Sequence, residues 1–172
     1  MTHALSPLCR AFAGTSVRYV LIDVSGANLY APSGQAIFTT EDFDFYLPLE
    51  PDNLVRAWAA CESVGFELWF GEEPLDRPRD RWLADRIIAN RALTRATAMP
   101  DVYVDLTLVM KGYDFETVWR ERRDFTIDGI PMSVARLLDI VRSKEAAGRD
   151  KDRLFLATHE EALRQLLDRQ DD

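Results

Sequence analysis

The residues best suited to chemistry are two aspartates, Asp42 and Asp44, in the strand-like run TEDFDFYL. Because side chains alternate between the two faces of a strand, both carboxylates and Tyr46 share one face, and the phenylalanines and Leu47 share the other. Two carboxylates roughly 6–7 Å apart on one strand face repel each other unless a cation or ligand lies between them. Hard cations such as Mg²⁺ take oxygen ligands of this kind. The spacing alone favours a strand end whose polar face is simply solvated, and the residues that follow in the chain shift the balance towards a site.

A third carboxylate, Asp105, lies in the middle of Val102–Val109, the clearest strand pattern in the chain. Alternation places it on one face with Tyr103 and Thr107. An unpaired aspartate inside a core strand is costly, so Asp105 needs a metal, a cation or a role unless it lies at a wet strand edge. Two carboxylates on one strand and a third on its neighbour suit a site in which Mg²⁺ bridges a triphosphate and activates an attacking oxygen.

A basic junction between two predicted helices, Arg142–Asp152, is the second candidate feature. Lys144 closes the first helix, Gly148 ends it, and Arg149 and Lys151 open the next. Cations at such a junction can complement the carboxyl end of the first helix. They can equally bind phosphate oxygens, assisted by the N–H groups that begin the second helix.

The elements that must hold these side chains alternate between short strands and helices. The predicted strands are Arg18–Val24, the Asp42/Asp44 run ended by Pro48, Phe66–Phe70, Val102–Val109 and a hairpin, Phe125–Met132, that turns at Asp128-Gly129. The predicted helices are Ser25–Tyr30, Pro51–Glu62, Arg79–Leu93, Ser133–Ala147 and Lys151–Leu167. This order predicts an α/β or α+β architecture, a mixed sheet flanked by helices with further helices at the C-terminus.

At 172 residues the chain is most simply one domain, 1–172, with a core at about 17–132 and a helical part at about 133–170. No apolar run approaches the ~20 residues of a membrane span, so no membrane association is expected. The N-terminus does not resemble a secretory signal. Cys9 and Cys61 lack metal-ligand spacing, which favours reduced thiols in a cytoplasmic protein.

The net charge of −8 argues against broad nucleic-acid binding through bulk electrostatics. Arg77–Arg95 is an exception, because its six arginines against Asp80 and Asp85 give a local charge of about +4. This pattern indicates either a solvated amphipathic helix or a basic edge beside an acidic centre, as a phosphate-bearing substrate requires. The two histidines, His3 and His159, are far apart in sequence, which argues against a zinc site and most histidine-based catalysis.

The order of these motifs resembles the minimal nucleotidyltransferases of the DNA polymerase β-like superfamily, and most closely the abortive-infection type nucleotidyltransferase toxins and related bacterial proteins. The resemblance covers about residues 17–167: a strand, a short helix, a Thr-x-Asp-x-Asp strand, a helix, a single-Asp strand, and a helix ending in Ser-Lys before Gly-Arg-x-Lys-Asp. It implies a nucleotidyltransferase fold and Mg²⁺- or Mn²⁺-dependent transfer of a nucleotide from an NTP to a hydroxyl of RNA or protein. It also implies a toxin-like role, with an antitoxin-like partner.

The resemblance further implies roles for individual residues. Asp42 and Asp44 hold the metals, and Asp105 completes the metal site and acts as the base toward the acceptor hydroxyl. Lys144 contacts the nucleotide phosphates.

The residues that follow Lys144 also match the family. Lys151 and Asp152 correspond to its Lys-Asp pair, and Arg149 stands where a basic residue is common. The resemblance therefore implies that these three residues also belong to the nucleotide site.

The turn after the first strand departs from the family pattern. Nucleotidyltransferases place Gly-Gly or Gly-Ser there, because only small residues let the backbone approach a triphosphate closely. This chain has Asp23-Val24, and Ser25-Gly26 follows two residues later. An acidic side chain beside phosphates is unfavourable without a metal between them. Either Ser25 and Gly26 take over nucleotide binding, or the triphosphate site is weakened; the arginine common before the aspartate motif is also replaced, by Phe38.

Two other functions compete with the enzyme. A catalytically degenerate nucleotidyltransferase-fold protein would bind a nucleotide or a partner without catalysis, which the Asp23-Val24 turn favours and the three aspartates oppose. A metal-dependent phosphodiesterase could use the same carboxylates, but the scarcity of histidines fits it less well.

Overall fold

The structure is a computed structural model that describes residues 2–32 and 37–171. Within these residues the chain forms a mixed α/β fold, which confirms the predicted fold class. The strands are β1 (Val20–Ile22), β2 (Asp42–Tyr46), β3 (Glu67–Phe70), β4 (Glu73–Pro74), β5 (Thr94–Ala98), β6 (Val102–Thr107), β7 (Arg123–Ile127) and β8 (Ile130–Val134). The α-helices are α1 (Ser6–Gly14), α2 (Asp23–Ala27), α3 (Pro51–Ser63), α4 (Arg81–Ala89), α5 (Phe115–Glu121), α6 (Leu137–Ala147), α7 (Asp150–Thr158) and α8 (Glu160–Asp171), with 3₁₀ turns at Thr2–Leu5 and Asn28–Tyr30.

All eight strands join one sheet in the order β4-β3-β5-β6-β2-β1-β8-β7. The pairs β2–β6 and β1–β8 are parallel, and the other neighbouring pairs are antiparallel. The strands β2 and β6 therefore lie side by side near the middle of the sheet, although more than fifty residues separate them in the chain. The two aspartate-bearing strands are central neighbours.

One face of β2 and β6 forms the core, as the alternation of their side chains predicts. Phe43, Phe45, Val104 and Leu106 are buried on that face. Helix α1 packs there through Phe12, whose ring meets the Phe45 ring edge-on with 5.6 Å between centroids. This packing leaves the opposite, aspartate-bearing face of the two strands to polar side chains.

Local signals explain most helix boundaries. Pro51 lies in the first turn of α3, where its missing N–H costs no hydrogen bond. The Asp80 carboxylate caps α4 by accepting the Leu83 N–H at 3.1 Å. Gly148 ends α6 in the left-handed conformation, φ +58°, and its N–H donates to the Lys144 carbonyl.

Several predicted boundaries were wrong. The helix expected from Ser133 begins only at Leu137, because Val134 pairs with Leu21 of β1 and so continues β8. The final predicted helix is two helices, α7 and α8, separated at His159. The first strand ends at Ile22, two residues before the predicted end at Val24.

Four elements were missed, namely α1, β4, β5 and α5, and the arginine-rich helix α4 is shorter than predicted. The predicted hairpin at Asp128-Gly129 is confirmed as β7–β8. No helix of the described residues is long and apolar enough to cross a membrane.

Candidate functional site

The register of β2 and β6 brings the three predicted metal ligands together. Asp44 lies directly beside Asp105 across the two parallel strands, and Asp42 lies beside Tyr103. Side chains at paired positions of neighbouring strands point to the same face of a sheet. The carboxylates of Asp42, Asp44 and Asp105 therefore share one face, and we call these three residues the carboxylate face.

An arginine that sequence reasoning did not assign to the site lies on the same face. Arg95 of β5 pairs with Asp105 of β6, and its Nε and Nη2 donate to the two Asp105 carboxylate oxygens at 2.7 and 3.0 Å. Its Nη2 also donates to Asp42 Oδ2 at 3.3 Å. Arg95 is thus a cation held between two of the three carboxylates.

Asp44 has no such partner. Among residues 2–32 and 37–171, no ion pair or side-chain hydrogen bond reaches its carboxylate. Burial, and then the neighbouring charges of Asp23, Asp105 and Asp42, raise the pKa of Asp44 to about 7, although Lys144 opposes the rise. A half-buried carboxylate among like charges is short of positive charge.

Lys144 lies beside the carboxylate face and is itself buried, only 7% exposed. Its Nζ lies 2.6 Å from Asp23 Oδ1 and 3.3 Å from Asp152 Oδ1, and 4.7 Å from the centre of the Phe155 ring. Arg149 holds Asp152 from the other side, with Nε donating to Oδ2 at 2.7 Å. Although burial acts against it, these hydrogen bonds and charges hold the pKa of Asp152 below its usual value.

These groups line a cleft of about 430 Å³, which we call the Lys144 cleft. Of the predicted nucleotide-binding residues, Lys144, Arg149 and Asp152 line it. Sequence reasoning missed Lys111 and Ser143, which line it as well. Ser143 is the serine of the Ser-Lys motif and was therefore identifiable, whereas Lys111 belongs to no motif.

The cleft adjoins the carboxylate face through two residues that line it. Ile22 is paired with Asp44 across β1 and β2, and Thr107 is two residues beyond Asp105 on the same face of β6. The carboxylate face thus lies next to the cations of the cleft.

Ser25 and Gly26, predicted to bind the nucleotide, are buried and do not line the cleft. The Ser25 hydroxyl donates to the Ile22 carbonyl at 2.9 Å and accepts the Asp44 N–H at 3.1 Å. A Cβ at Gly26 would lie 2.9 Å from the Leu21 carbonyl oxygen, so only glycine fits. These two residues hold α2 against β1 and β2 and so position Asp44.

Lys151 is exposed at the start of α7 and does not line the cleft, in contrast to the neighbouring Asp152. Most arginines of the arginine-rich segment make contacts away from the carboxylate face. Arg79 pairs with Glu62 on α3, and Arg86 stacks on Trp82. Arg95 is the arginine of this segment that reaches the carboxylate face.

The donor set suits Mg²⁺ in its chemistry. Carboxylate oxygens are the preferred ligands of Mg²⁺, and burial and the neighbouring carboxylates raise the pKa of Asp44, a rise that a bound cation would oppose. In the described parts of the chain, no group of three or more histidine, cysteine or carboxylate side chains is arranged to hold a metal ion. The Arg95 guanidinium between Asp42 and Asp105 accounts for part of this, since it holds their oxygens.

No family model matches the chain, and no curated protein shows significant similarity to it.

Proposed function

We propose that the protein is a Mg²⁺- or Mn²⁺-dependent nucleotidyltransferase that transfers a nucleotide from an NTP to a hydroxyl of RNA or protein. The observation that carries the proposal is the in-register pairing of Asp44 with Asp105, beside Asp42 and next to a cationic cleft. Carboxylates that bind metal and cations that bind phosphate are the two halves such a reaction needs.

In this proposal Asp42, Asp44 and Asp105 would hold the metal ions, which supply positive charge to the triphosphate and to the attacking oxygen when bound. Lys144, Arg149 and Lys111 bind the phosphate oxygens from the cleft side. The acceptor oxygen forms a bond to the α-phosphorus, the bond from that phosphorus to its bridging oxygen breaks, and pyrophosphate leaves.

Asp105 takes the proton of the acceptor hydroxyl, provided that Arg95 first releases its carboxylate. The two hydrogen bonds from Arg95 occupy both oxygens of the Asp105 carboxylate. Asp44, whose carboxylate has no cationic partner among the described residues, is the residue on which cation binding depends most. Its replacement by asparagine removes charge at little change in volume.

The test is transfer of label from each α-³²P-labelled NTP to bulk RNA and to protein, in Mg²⁺ and in Mn²⁺. We expect labelled product with wild type and none with Asp44→Asn. Asp85→Asn is the matched control, because Asp85 is an exposed aspartate on α4, remote from the cleft lining. Equal labelling by wild type and Asp44→Asn would contradict the proposal.

A second function is a catalytically degenerate protein that binds a nucleotide without transferring it. Two ion pairs favour this function. Arg95 is paired with Asp105, the proposed base, and Asp23 is paired with Lys144, the proposed phosphate-binding residue. Calorimetric titration with each NTP separates the two functions, because NTP binding without any labelled product supports the binder.

The proposal also includes a toxin-like role and an antitoxin-like partner. Both are supported only by the sequence resemblance to nucleotidyltransferase toxins. A cytoplasmic location belongs to the proposal too, supported by two buried, free cysteines, Cys9 and Cys61.

A further inference from the structure

Asp23 has an unusual backbone for a residue with a side chain. Its φ is +57°, in the left-handed region that glycine adopts freely and that aspartate and asparagine tolerate best among the other residues. It follows β1 directly and begins α2. The conformation at this turn is that of a glycine, whereas the side chain is a carboxylate.

That carboxylate points at the buried lysine of the cleft. Asp23 Oδ1 lies 2.6 Å from Lys144 Nζ and accepts the Val24 N–H at 2.8 Å. A buried ammonium needs anionic or hydrogen-bonding partners, because an unpaired charge away from water is costly. Asp23 supplies one of the two carboxylates that meet this need, and Asp152 supplies the other.

The two carboxylates differ in how firmly they are held. The Asp152 side chain is fully buried and also bound by Arg149, so it is a fixed partner of Lys144. The Asp23 side chain is 31% exposed and lines the cleft. Of the two, Asp23 is the partner that an entering anion can replace.

We propose that Asp23 is an internal anion that holds the place of a ligand phosphate on Lys144, so that a phosphate-bearing ligand binds by displacing it. The inference rests on the proposed function insofar as the ligand is an NTP. It says in addition that residue 23 sets the phosphate affinity of the cleft. While Asp23 stays in place, it both neutralises Lys144 and repels an anion beside it.

The test measures phosphate affinity without catalysis. The probe is inorganic tripolyphosphate, titrated calorimetrically in EDTA-treated buffer at low salt. Wild type is compared with Asp23→Asn, which keeps the shape and tolerates the left-handed backbone, and with Asp23→Gly, which suits that backbone best. We expect both variants to bind roughly 10-fold more tightly than wild type, because one competing charge is gone.

Asp128→Asn is the matched control. Asp128 is also an aspartate with a left-handed backbone, φ +53°, but it lies at the β7–β8 turn and does not line the cleft. It changes net charge by the same amount and should leave the affinity unchanged. The double variant Asp23→Asn/Lys144→Ala should lose the gain, and melting curves verify that each variant is folded.

Several results would overturn the inference: an affinity within twofold of wild type for both Asp23 variants, an equal gain in Asp128→Asn, a gain that survives the loss of Lys144, or no binding by any form. The labelling assay separates this inference from the enzyme. Tighter tripolyphosphate binding by Asp23→Asn without nucleotide transfer keeps the inference and removes the enzyme. Nucleotide transfer by wild type without tighter tripolyphosphate binding by Asp23→Asn keeps the enzyme and removes the inference.

Discussion

The carboxylate face and the Lys144 cleft differ in how their charges are balanced. On the carboxylate face Arg95 pairs with Asp42 and Asp105, and no ion pair from the described residues reaches Asp44. In the cleft, Lys144 and Arg149 pair with Asp23 and Asp152, and Lys111 is a third cation of the lining. The first region lacks positive charge and the second supplies its own counter-charge. A ligand that joins both must therefore bring cations to the strands and exchange anions at the helices.

The largest expected effect breaks the balance of the cleft. Asp152→Ala leaves Lys144 and Arg149 without their fixed partner, and Lys144 is buried. Removing one partner of a buried charge pair typically costs 3–5 kcal/mol, and because Lys144 keeps Asp23 as a partner we expect a loss at the lower end, about 3 kcal/mol in unfolding free energy. Urea denaturation measures it. Asp150→Ala, whose carboxylate is 97% exposed, is the control and should cost less than about 1 kcal/mol. Equal losses would show that the Asp152 pair is not a fixed one.

The next effect tests the missing charge of the carboxylate face. The pKa of Asp44, raised to about 7 in the folded protein from 3.8, makes the folded state bind more protons than the unfolded state between these values. Stability contributed by this group therefore falls as the pH rises from about 4 to about 7, and the full penalty is present above it. We expect Asp44→Asn to stabilise the protein by about 2 kcal/mol at pH 8, after allowance for partial exposure, and by much less at pH 5.

Denaturation of both proteins in metal-free buffer at pH 5 and pH 8 measures this difference. Asp85→Asn should show no such pH dependence. If Asp44→Asn stabilises the protein equally at the two pH values, the ionisation of Asp44 is not the cause.

A smaller effect concerns the one cation that the carboxylate face has. Arg95→Gln frees Asp42 and Asp105 of their shared partner, at a site that is partly exposed. We expect a loss of about 1 kcal/mol in metal-free buffer. Millimolar Mg²⁺ should then stabilise the variant more than wild type, because the Asp42 and Asp105 carboxylates are no longer paired with Arg95 and can bind the metal. Thermal melts with and without Mg²⁺ test this, and an equal response of both proteins would count against Arg95 as a competitor for the metal.

The smallest effect is that of Mg²⁺ on the wild-type protein. A cation that binds only the folded state stabilises it by about 0.4 kcal/mol when its concentration equals its Kd. We expect a correspondingly small rise in melting temperature at pH 8, and none in Asp44→Asn. The same experiment with Mn²⁺ checks the result with a second hard cation. Melting curves that are the same with and without millimolar Mg²⁺ or Mn²⁺ would contradict the binding of a divalent cation at the carboxylate face.

Local patterns predicted the parts of the fold that depend on neighbouring residues. Alternation identified β2 and β6, and Asp128-Gly129 identified the β7–β8 turn. The strand β5 was missed because its sequence, TRATA, has small and polar residues and follows an arginine-rich helix. Tertiary pairing with β3 and β6, rather than its own hydrophobic pattern, makes it a strand.

The same distinction applies to the site. Asp42, Asp44 and Asp105 were found because strand alternation fixes which face they share. The Arg95–Asp105 and Lys144–Asp23 pairs were not found, because they depend on which strands and helices become neighbours. Ser25 was expected at the nucleotide, yet its hydroxyl is used within the fold, a fact that only the packing of α2 decides.

That hydroxyl has a mechanical consequence. Where β1 turns away after Ile22, Ser25 continues the connection to β2, since its Oγ is tied to the Ile22 carbonyl on one side and to the Asp44 N–H on the other. The Ser25 side chain therefore links the turn that carries Asp23 to the strand that carries Asp44. A movement of α2 that withdraws Asp23 from Lys144 would also shift the backbone of Asp44, so that a change in the Lys144 cleft would reach the carboxylate face.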